Sequence, residues 1–374
     1  MSNPFKPTFG VTPPLVAGRD DQIQDFVDAI DDGPGAAGRA TLYTGARGSG
    51  KTVMLNAVGS QAEKRGWLVV NETATESLIE TLTKSSLPSL LQRIDPDTVK
   101  HRITEIWLPV VGGRLSWQSV QQHMVTMDLR RQINLITDLL AEAETGLLIT
   151  VDEIHQDQTD QLRELATVIQ HAFRENREVA FAAAGLTSAV NGLLHDNVLT
   201  FLRRADRHDL GSVDLDHVRD AICLPIENNG RKVDQDALEA MVESTGGYPF
   251  LIQLVGSHCW KVDPGKETIT QADVETGTQR AHRRLGSLVH APALSRLSDI
   301  DKSYLLKMAE DDGPSRTSTI TERLKVETGY GSMYRDRLIA AEVIEPAGYG
   351  YVDFTLPYLR DYLRDHAASL IREK

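Results

Sequence analysis

The stretch Thr41-Leu42-Tyr43-Thr44-Gly45-Ala46-Arg47-Gly48-Ser49-Gly50-Lys51-Thr52 decides how this chain folds. Its first four residues are β-branched, apolar or aromatic, and they predict a short strand. The glycines that follow predict a tight loop, and an amphipathic pattern from residue 51 to about 65 predicts a helix. A strand that runs through a glycine loop into a helix is a suitable site for phosphate groups.

The loop matches the pattern G-x-x-x-x-G-K-[ST] in full, and each fixed position has a physical reason. Its glycines let the backbone curl, so that successive N–H groups point at phosphate oxygens beside the helix N-terminus. We predict that Lys51 contacts the β- and γ-phosphates and that the hydroxyl of Thr52 binds Mg²⁺. The predicted nucleotide-binding residues of this P-loop are Gly45, Ala46, Arg47, Gly48, Ser49, Gly50, Lys51 and Thr52. No Asn-Lys-x-Asp box for guanine is present, which favours ATP.

A second motif follows further along the chain, where the apolar run 147–151 ends in the acidic pair Asp152-Glu153. An apolar strand belongs in the middle of a sheet, and its carboxyl end then lies on the same side as the P-loop. We predict that Asp152 holds Mg²⁺ and that Glu153 polarises the attacking water. The presence of Glu153 favours hydrolysis over storage of the nucleotide.

The remaining short apolar runs, at 66–70 and 179–184, alternate with helical patterns such as 162–173. This alternation predicts an α/β fold, a P-loop core whose parallel sheet is covered by helices. The segment 87–125 is a long insertion, and its Gly112-Gly113 turn predicts a hairpin. Trp107 and Trp117 flank the turn and either pair across the strands or stack on bases. We assign the insertion no function.

The residues after the fourth strand offer polar groups at the level of the γ-phosphate. Thr187 or Ser188 either orients the attacking water or caps the strand end. Arg203, Arg204 and Arg207 follow, and a guanidinium from this cluster can neutralise the charge that develops on the transferred phosphoryl group. Such an arginine acts within its own subunit or across an oligomer interface. The alternative is a solvated basic helix end.

Helical periodicity then dominates the rest of the chain. We predict three domains: a P-loop core at 1–213, a helical lid at 214–290 and a winged helix-turn-helix domain at 291–374. The lid contains the turn Gly246-Gly247-Tyr248-Pro249, which is either a nucleotide contact or a plain turn between helices. The winged helix is predicted from helices at 303–308, 318–324 and 332–341 and a hairpin with strands at 343–345 and 351–354.

In this order of parts the chain resembles the AAA+ and STAND-like P-loop ATPases, particularly the initiator/origin-recognition type with a C-terminal winged helix. The resemblance implies that Gly18 and Arg19, in the box Val16-Ala17-Gly18-Arg19-Asp20, lie near adenine and ribose. It also implies that Arg204 is the arginine finger and that Pro249 contacts the nucleotide. Initiator-type members carry a lid arginine, whereas residues 246–256 contain none. The Gly-Gly-Tyr-Pro turn instead resembles STAND-like ATPases and favours a nucleotide-controlled switch over replication initiation.

Charge gives the winged helix little electrostatic attraction for DNA. Residues 296–374 carry 12 basic and 14 acidic side chains, a net charge of −2. Lys325, Arg335 and Arg337 nevertheless lie on or beside the predicted recognition helix, where they can contact phosphates. Binding of double-stranded DNA and docking of a protein therefore both remain open for this domain.

The composition bounds the cellular setting. The 374 residues carry a net charge of −13, and no apolar run approaches the length of a membrane span. Only two cysteines are present, Cys223 and Cys259, which excludes a disulfide scaffold and the usual zinc motifs and predicts buried thiols. We expect a cytoplasmic protein with no membrane partner.

Three hypotheses of function follow. The first is an ATP-hydrolysing switch whose nucleotide state controls the winged-helix module, as a homo-oligomer or with a protein partner. The second is a DNA-binding regulator with a structural nucleotide. The third is an ATP-dependent protein-interaction adaptor. The downstream partner and the trigger of hydrolysis cannot be read from these residues.

Overall fold

The computed structural model describes residues 2–8, 10–90, 93–94, 127–155, 159–194 and 202–370. The predicted hairpin of the insertion, with Trp107 and Trp117, lies outside these residues. The contacts divide the chain into two compact units. The sheet unit comprises Arg19–Gly45 and Lys51–Leu210, and the helical unit comprises Met1–Gly18, Ala46–Gly50 and Gly211–Lys374. Within the described ranges, none of the helices combines the length and the apolarity that crossing a membrane requires.

The sheet unit alternates strands and helices, as the sequence predicts. Its elements in chain order are α1 (Asp20–Asp31), β1 (Ala40–Thr44), α2 (Lys51–Lys64), β2 (Leu68–Thr73), α3 (Leu78–Thr81), α4 (Leu87–Leu90), α5 (Leu129–Ala141), β3 (Leu147–Ile154), α6 (Thr159–Arg174), β4 (Val179–Gly185), α7 (Thr187–Leu194) and β5 (Asp206–Asp209). The strands form one sheet in the order β2-β3-β4-β1-β5, and all pairs are parallel. The predicted parallel sheet covered by helices is confirmed.

The core of this unit lies on both faces of the sheet. Strands β1 and β4 are buried along their whole length, which is typical of parallel strands covered by helices on both sides. Strand β3 pairs with β2 and β4, and its register shifts between Val151 and Ile154. Asp152 and Glu153 lie within this local irregularity.

A buried arginine joins helix α1 to the sheet. Arg39 donates hydrogen bonds to the carbonyl oxygens of Ala29 and Ile30 at the end of α1, with distances of 3.0 and 2.8 Å. Its guanidinium also pairs with Glu178 at 2.6 Å and lies over the ring of Trp67. Because the last carbonyls of a helix lack partners inside it, this arginine satisfies groups that would otherwise be unpaired.

The helical unit forms a separate core. Its elements are α8 (Leu215–Asn228), β6 (Lys232–Val233), α9 (Gln235–Thr245), α10 (Pro249–Trp260), β7 (Thr268–Ile269), α11 (Gln271–Leu285), α12 (Ala291–Ser295), α13 (Asp299–Ala309), β8 (Ser315–Arg316), α14 (Thr317–Leu324), α15 (Thr328–Ala340), β9 (Ile344–Pro346), β10 (Tyr351–Phe354) and α16 (Leu359–Leu370). Strands β8, β10 and β9 form a small antiparallel sheet. Helices α13 to α15 together with this sheet confirm the predicted winged-helix arrangement.

The two cysteines have different surroundings. Cys259 is buried, whereas Cys223 is only partly buried. Burial raises the pKa of the Cys259 thiol to about 12 and that of Cys223 to about 11. Since the thiolate is the reactive form, both side chains are poor nucleophiles near neutral pH.

Candidate functional site

The P-loop connects β1 to α2 through a backbone that only glycine adopts without strain. Gly45, Gly48 and Gly50 have φ angles of 149°, 77° and 96°. A side chain at these positions would be strained, because positive φ brings Cβ close to the backbone. Ser49 is 5% exposed, and its hydroxyl has no hydrogen-bond partner among the described residues. A buried hydroxyl without a partner in a glycine loop fits an additional oxygen-rich ligand such as phosphate.

Two side chains at the start of α2 contact different parts of the site, Lys51 the P-loop and Thr52 the end of β3. The Nζ of Lys51 donates a hydrogen bond to the carbonyl oxygen of Gly45 at 2.8 Å. The hydroxyl of Thr52 donates to the Oδ2 of Asp152 at 2.5 Å, which joins α2 to the end of β3. A hydroxyl and a carboxylate at this separation form the oxygen donor set that Mg²⁺ prefers. The structure therefore brings the two predicted metal ligands together.

Glu153 has an unusual backbone conformation for its residue type. Its φ is 55°, in the left-handed region, and it lies where the register of β3 shifts. Its N–H donates to the Oδ1 of Asp152 at 2.8 Å, and its side chain is exposed. Such a conformation costs on the order of 1 kcal/mol and recurs at functional sites. Glu153 is therefore held beside Asp152 with its side chain exposed, and its role as a general base stays a prediction.

A third acidic residue, Asp209, was not predicted from the sequence. It ends β5, and its Oδ1 accepts hydrogen bonds from the hydroxyls of Thr44 at 3.0 Å and Thr187 at 3.4 Å. These three residues lie at the carboxyl ends of β5 and β1 and directly after β4. Thr187 thus lies near the carboxyl ends of the strands, as predicted, and its hydroxyl donates to Asp209. No sequence signal marked Asp209, because it ends a strand without apolar residues.

In the box before the P-loop, Gly18 has a left-handed backbone and Arg19 is buried. Gly18 has a φ of 64°, and a Cβ there would lie 3.1 Å from the side chains of Val213 and His217. Arg19 precedes α1 and is 8% exposed. Burial lowers the pKa of Arg19, and the negative charge of Asp209 opposes that shift. A contact of Gly18 and Arg19 with adenine and ribose stays a prediction.

Arg204 lies before the amino end of β5, whereas the P-loop follows the carboxyl end of β1. It ends a short 3₁₀ turn (Leu202–Arg204) just before β5 begins, and β5 runs parallel to β1. The P-loop follows the opposite end of β1, so the four residues of β5, about 13 Å of strand, separate Arg204 from the level of the loop. Action of Arg204 on a phosphate bound in its own subunit does not fit this placement. Action across an oligomer interface remains open.

The lid turn contains a contact that the sequence did not reveal. Gly246 and Gly247 have positive φ angles of 54° and 74°, and Pro249 is the first residue of α10. Between them Tyr248 is 4% exposed, and its phenol donates to the carbonyl oxygen of Arg47 at 2.6 Å. Burial raises the pKa of Tyr248, so the phenol keeps its proton. A Cβ on Gly48 would lie 2.1 Å from that phenol oxygen. Direct contact of Pro249 with nucleotide stays a prediction.

The arginines of the predicted recognition helix are already engaged. Arg337 pairs with the buried carboxylate of Asp301 at 2.7 Å, and Arg335 pairs with its neighbour Asp336 at 2.8 Å. Lys325 lies at the end of α14 in a left-handed conformation. The exposed side chains of this region include Tyr330, Met333, Tyr349 and Tyr351, which are apolar or aromatic.

Comparisons with known proteins agree with this architecture. The family model described as an AAA ATPase domain matches residues 15–181. A second model, described as a domain of unknown function, matches residues 287–363. Comparison with curated protein sequences finds no match.

Two solved structures share the fold over nearly the whole chain. The Walker-type ATPase of Pyrococcus abyssi has a TM-score of 0.65 and 16% identity, with 93% of this chain and 96% of that chain covered. The ORC2 protein of Aeropyrum pernix in its ADP form has a TM-score of 0.53 and 13% identity, with 98% of this chain and 100% of that chain covered. At these identities the likeness concerns the fold alone.

Proposed function

We propose that this protein hydrolyses ATP with Mg²⁺ and that its nucleotide state controls the C-terminal winged-helix module. The match of residues 15–181 to the AAA ATPase domain model supports the first part. One contact supports this function most strongly, the hydrogen bond of 2.5 Å between Thr52 and Asp152. It joins the helix after the P-loop to the strand that carries Glu153. Phosphate binding needs the P-loop, metal ligation needs the Thr52–Asp152 pair, and water activation needs Glu153.

The chain's own residues divide the chemistry between them. The N–H groups of the P-loop and the ammonium of Lys51 would bind the phosphates, and the oxygens of Thr52 and Asp152 would hold Mg²⁺. Glu153 accepts a proton from the attacking water, while Thr187, oriented by Asp209, positions that water. Bound Mg²⁺ supplies positive charge to the phosphate oxygens. On binding, Lys51 exchanges its contact with the Gly45 carbonyl for phosphate oxygens.

Phosphate release by the purified full-length chain tests this function. With saturating ATP and Mg²⁺ we expect steady release of phosphate, and with EDTA in excess we expect none, because the metal neutralises the transferred group. GTP should be a poorer substrate than ATP. A chain that releases no phosphate from ATP at any protein concentration would remove the hydrolytic part of this function.

We further propose that Arg204 completes the site of a neighbouring subunit. An arginine finger contributes about 10³-fold or more to the rate. Arg204→Ala and Glu153→Gln should therefore each be nearly inactive alone. A 1:1 mixture should regain turnover, up to about a quarter of the wild-type rate, since random pairing joins an intact Glu153 to an intact Arg204 at that fraction of interfaces. A mixture that stays as inactive as its components would contradict action between subunits.

Tyr248 connects the P-loop, where the nucleotide would bind, to the unit that contains the winged helix. The P-loop residues Ala46–Gly50 belong by their contacts to the same unit as the winged helix. Within that unit Tyr248 bonds to Arg47, and the N–H of Val213 bonds to the carbonyl of Gly247 at 2.8 Å. A change in the P-loop backbone on nucleotide binding is therefore transmitted to the turn that begins α10.

Tyr248→Phe should weaken ATP binding about fivefold, the effect of one lost hydrogen bond of about 1 kcal/mol that holds the loop in shape. Titration calorimetry measures the change. Tyr304→Phe is the matched control, because the Tyr304 phenol is buried and has no hydrogen-bond partner within the described ranges. It should leave ATP affinity unchanged. Equal affinities for Tyr248→Phe and wild type would show that this bond does not order the loop.

For the output module, the exposed Tyr330, Met333, Tyr349 and Tyr351 favour docking of a protein over binding of DNA. The engagement of Arg335 and Arg337 with carboxylates points the same way. Fluorescence anisotropy with a labelled duplex at low salt separates the two. Binding that weakens in Arg335→Ala would favour the DNA-binding regulator instead.

A further inference from the structure

A second cluster of metal-ligating side chains lies away from the P-loop, on the edge of the sheet. Asp25 of α1 and Asp206 and His208 of β5 each direct a ligand atom to one place, and these atoms lie within 4.8 Å of one another. β5 is the last strand of the sheet order, so only β1 flanks it. Residues 206 and 208 are two apart on a strand, which puts both side chains on one face.

The strand register adds a fourth polar group to this cluster. Tyr43 of β1 pairs with His208 of β5, and their rings stack with centroids 5.5 Å apart. Tyr43 is completely buried. Burial raises the pKa of Tyr43, and the negative charges of Asp206 and Asp25 raise it further, so both carboxylates act on this phenol.

Two buried atoms at the cluster lack the partners that buried polar atoms normally have. Neither the phenol oxygen of Tyr43 nor the Nε2 of His208 has a hydrogen-bond partner among the residues that the structure describes. The Nε2 of His208 lies 3.3 Å from the Oδ2 of Asp206, but the two do not form a hydrogen bond of acceptable geometry. Buried polar atoms normally have hydrogen-bond partners, so two without partners beside two carboxylates indicate a ligand that satisfies several at once.

We propose that Asp25, Asp206 and His208 bind a divalent transition-metal ion of the Zn²⁺ class. Ligands about 2.0–2.1 Å from a tetrahedral Zn²⁺ lie about 3.3 Å apart, which is the separation of His208 Nε2 and Asp206 Oδ2. One imidazole and two carboxylates suit this class better than Mg²⁺, which prefers oxygen ligands alone. Tyr43, whose buried phenol has no hydrogen-bond partner among the described residues, stacks on His208 beside these ligands.

The bound ion has a structural consequence. It ties α1, which begins beside Arg19, to β5, which ends in Asp209. Asp209 accepts the hydrogen bonds of Thr44 and Thr187. The ion therefore stabilises the sheet edge without taking part in phosphate chemistry. Its ligands are separate from Thr52 and Asp152.

Titration of ZnCl₂ into the full-length chain without nucleotide tests the site. We expect one high-affinity ion per chain, and Asp25→Asn should weaken its binding at least about tenfold, because a direct ligand is lost. Asp25 is exposed, so this substitution leaves the fold intact. Asp21→Asn, an exposed acid of the same helix, and Asp152→Asn should not change Zn²⁺ affinity. Excess Mg²⁺ should not displace the ion.

Two further readouts separate this site from adventitious binding by other histidines. At equal Zn²⁺ concentration, the melting temperature of wild type should rise more than that of Asp25→Asn. Co²⁺ in place of Zn²⁺ should give the visible absorption of a low-coordinate site in wild type, and Asp25→Asn should lose it. Absence of stoichiometric binding, or tight binding that Asp25→Asn leaves unchanged, would overturn the assignment.

Discussion

Glu153→Gln is expected to lower the rate of ATP turnover about 10²- to 10⁴-fold, the usual contribution of a general base. Gln keeps the size of the side chain and the left-handed backbone at position 153, but it cannot accept the proton of the attacking water. ATP affinity should change less than about twofold, because Glu153 contacts neither the P-loop nor the metal ligands through its side chain in this account. Phosphate release at saturating ATP measures the rate, and calorimetry measures the affinity.

Glu164→Gln is the matched control for this prediction. Glu164 lies on α6 of the same unit and is exposed, and its replacement removes the same charge. Its turnover should equal that of wild type. Equal turnover of Glu153→Gln and wild type would mean that another group activates the water.

Lys51→Ala is expected to weaken ATP binding by about 100-fold. Two charge-assisted hydrogen bonds to phosphate are worth about 3 kcal/mol together, which corresponds to that factor. In the unliganded protein, loss of the hydrogen bond to the Gly45 carbonyl should cost on the order of 1 kcal/mol of stability. Calorimetric titration of a non-hydrolysable ATP analogue with Mg²⁺ measures the loss.

The control for this variant is Lys64→Ala, which removes the same charge from the last residue of the same helix. Lys64 is exposed and lies at the opposite end of α2 from the P-loop. ATP affinity should be unchanged. If both lysine variants bind ATP like wild type, the nucleotide is not held by the P-loop.

The strands of the sheet were predictable where their side chains are apolar. The runs that form β1, β3 and β4 are buried between helices, and strands in such positions consist mainly of apolar residues. Strand β5 was missed, because Asp206, Arg207, His208 and Asp209 include no apolar residue. An edge strand pairs on one side only and alternates between half-buried and exposed positions, so polar residues suffice there.

The candidate site shows the same division. Thr52 and Asp152 were predicted as partners, because a loop motif and a strand end meet at one edge of any parallel sheet. Asp209 and Tyr248 were not assigned roles, since a hydrogen bond between residues far apart in the chain leaves no local pattern. The sequence suggested DNA contacts for Arg335 and Arg337. It did not reveal that Arg337 pairs with the buried Asp301.

The central claim is that the P-loop and the Thr52–Asp152 pair form one site for ATP and Mg²⁺. Calorimetric titration of a non-hydrolysable ATP analogue into the wild-type chain, with Mg²⁺ and then with EDTA, tests it most directly. We expect saturable binding of one analogue per chain with Mg²⁺ and an affinity at least about tenfold lower in EDTA, because Thr52 and Asp152 would hold the ion and its positive charge would favour the bound phosphates. The same affinity in both conditions, or no binding at millimolar analogue, would contradict the claim.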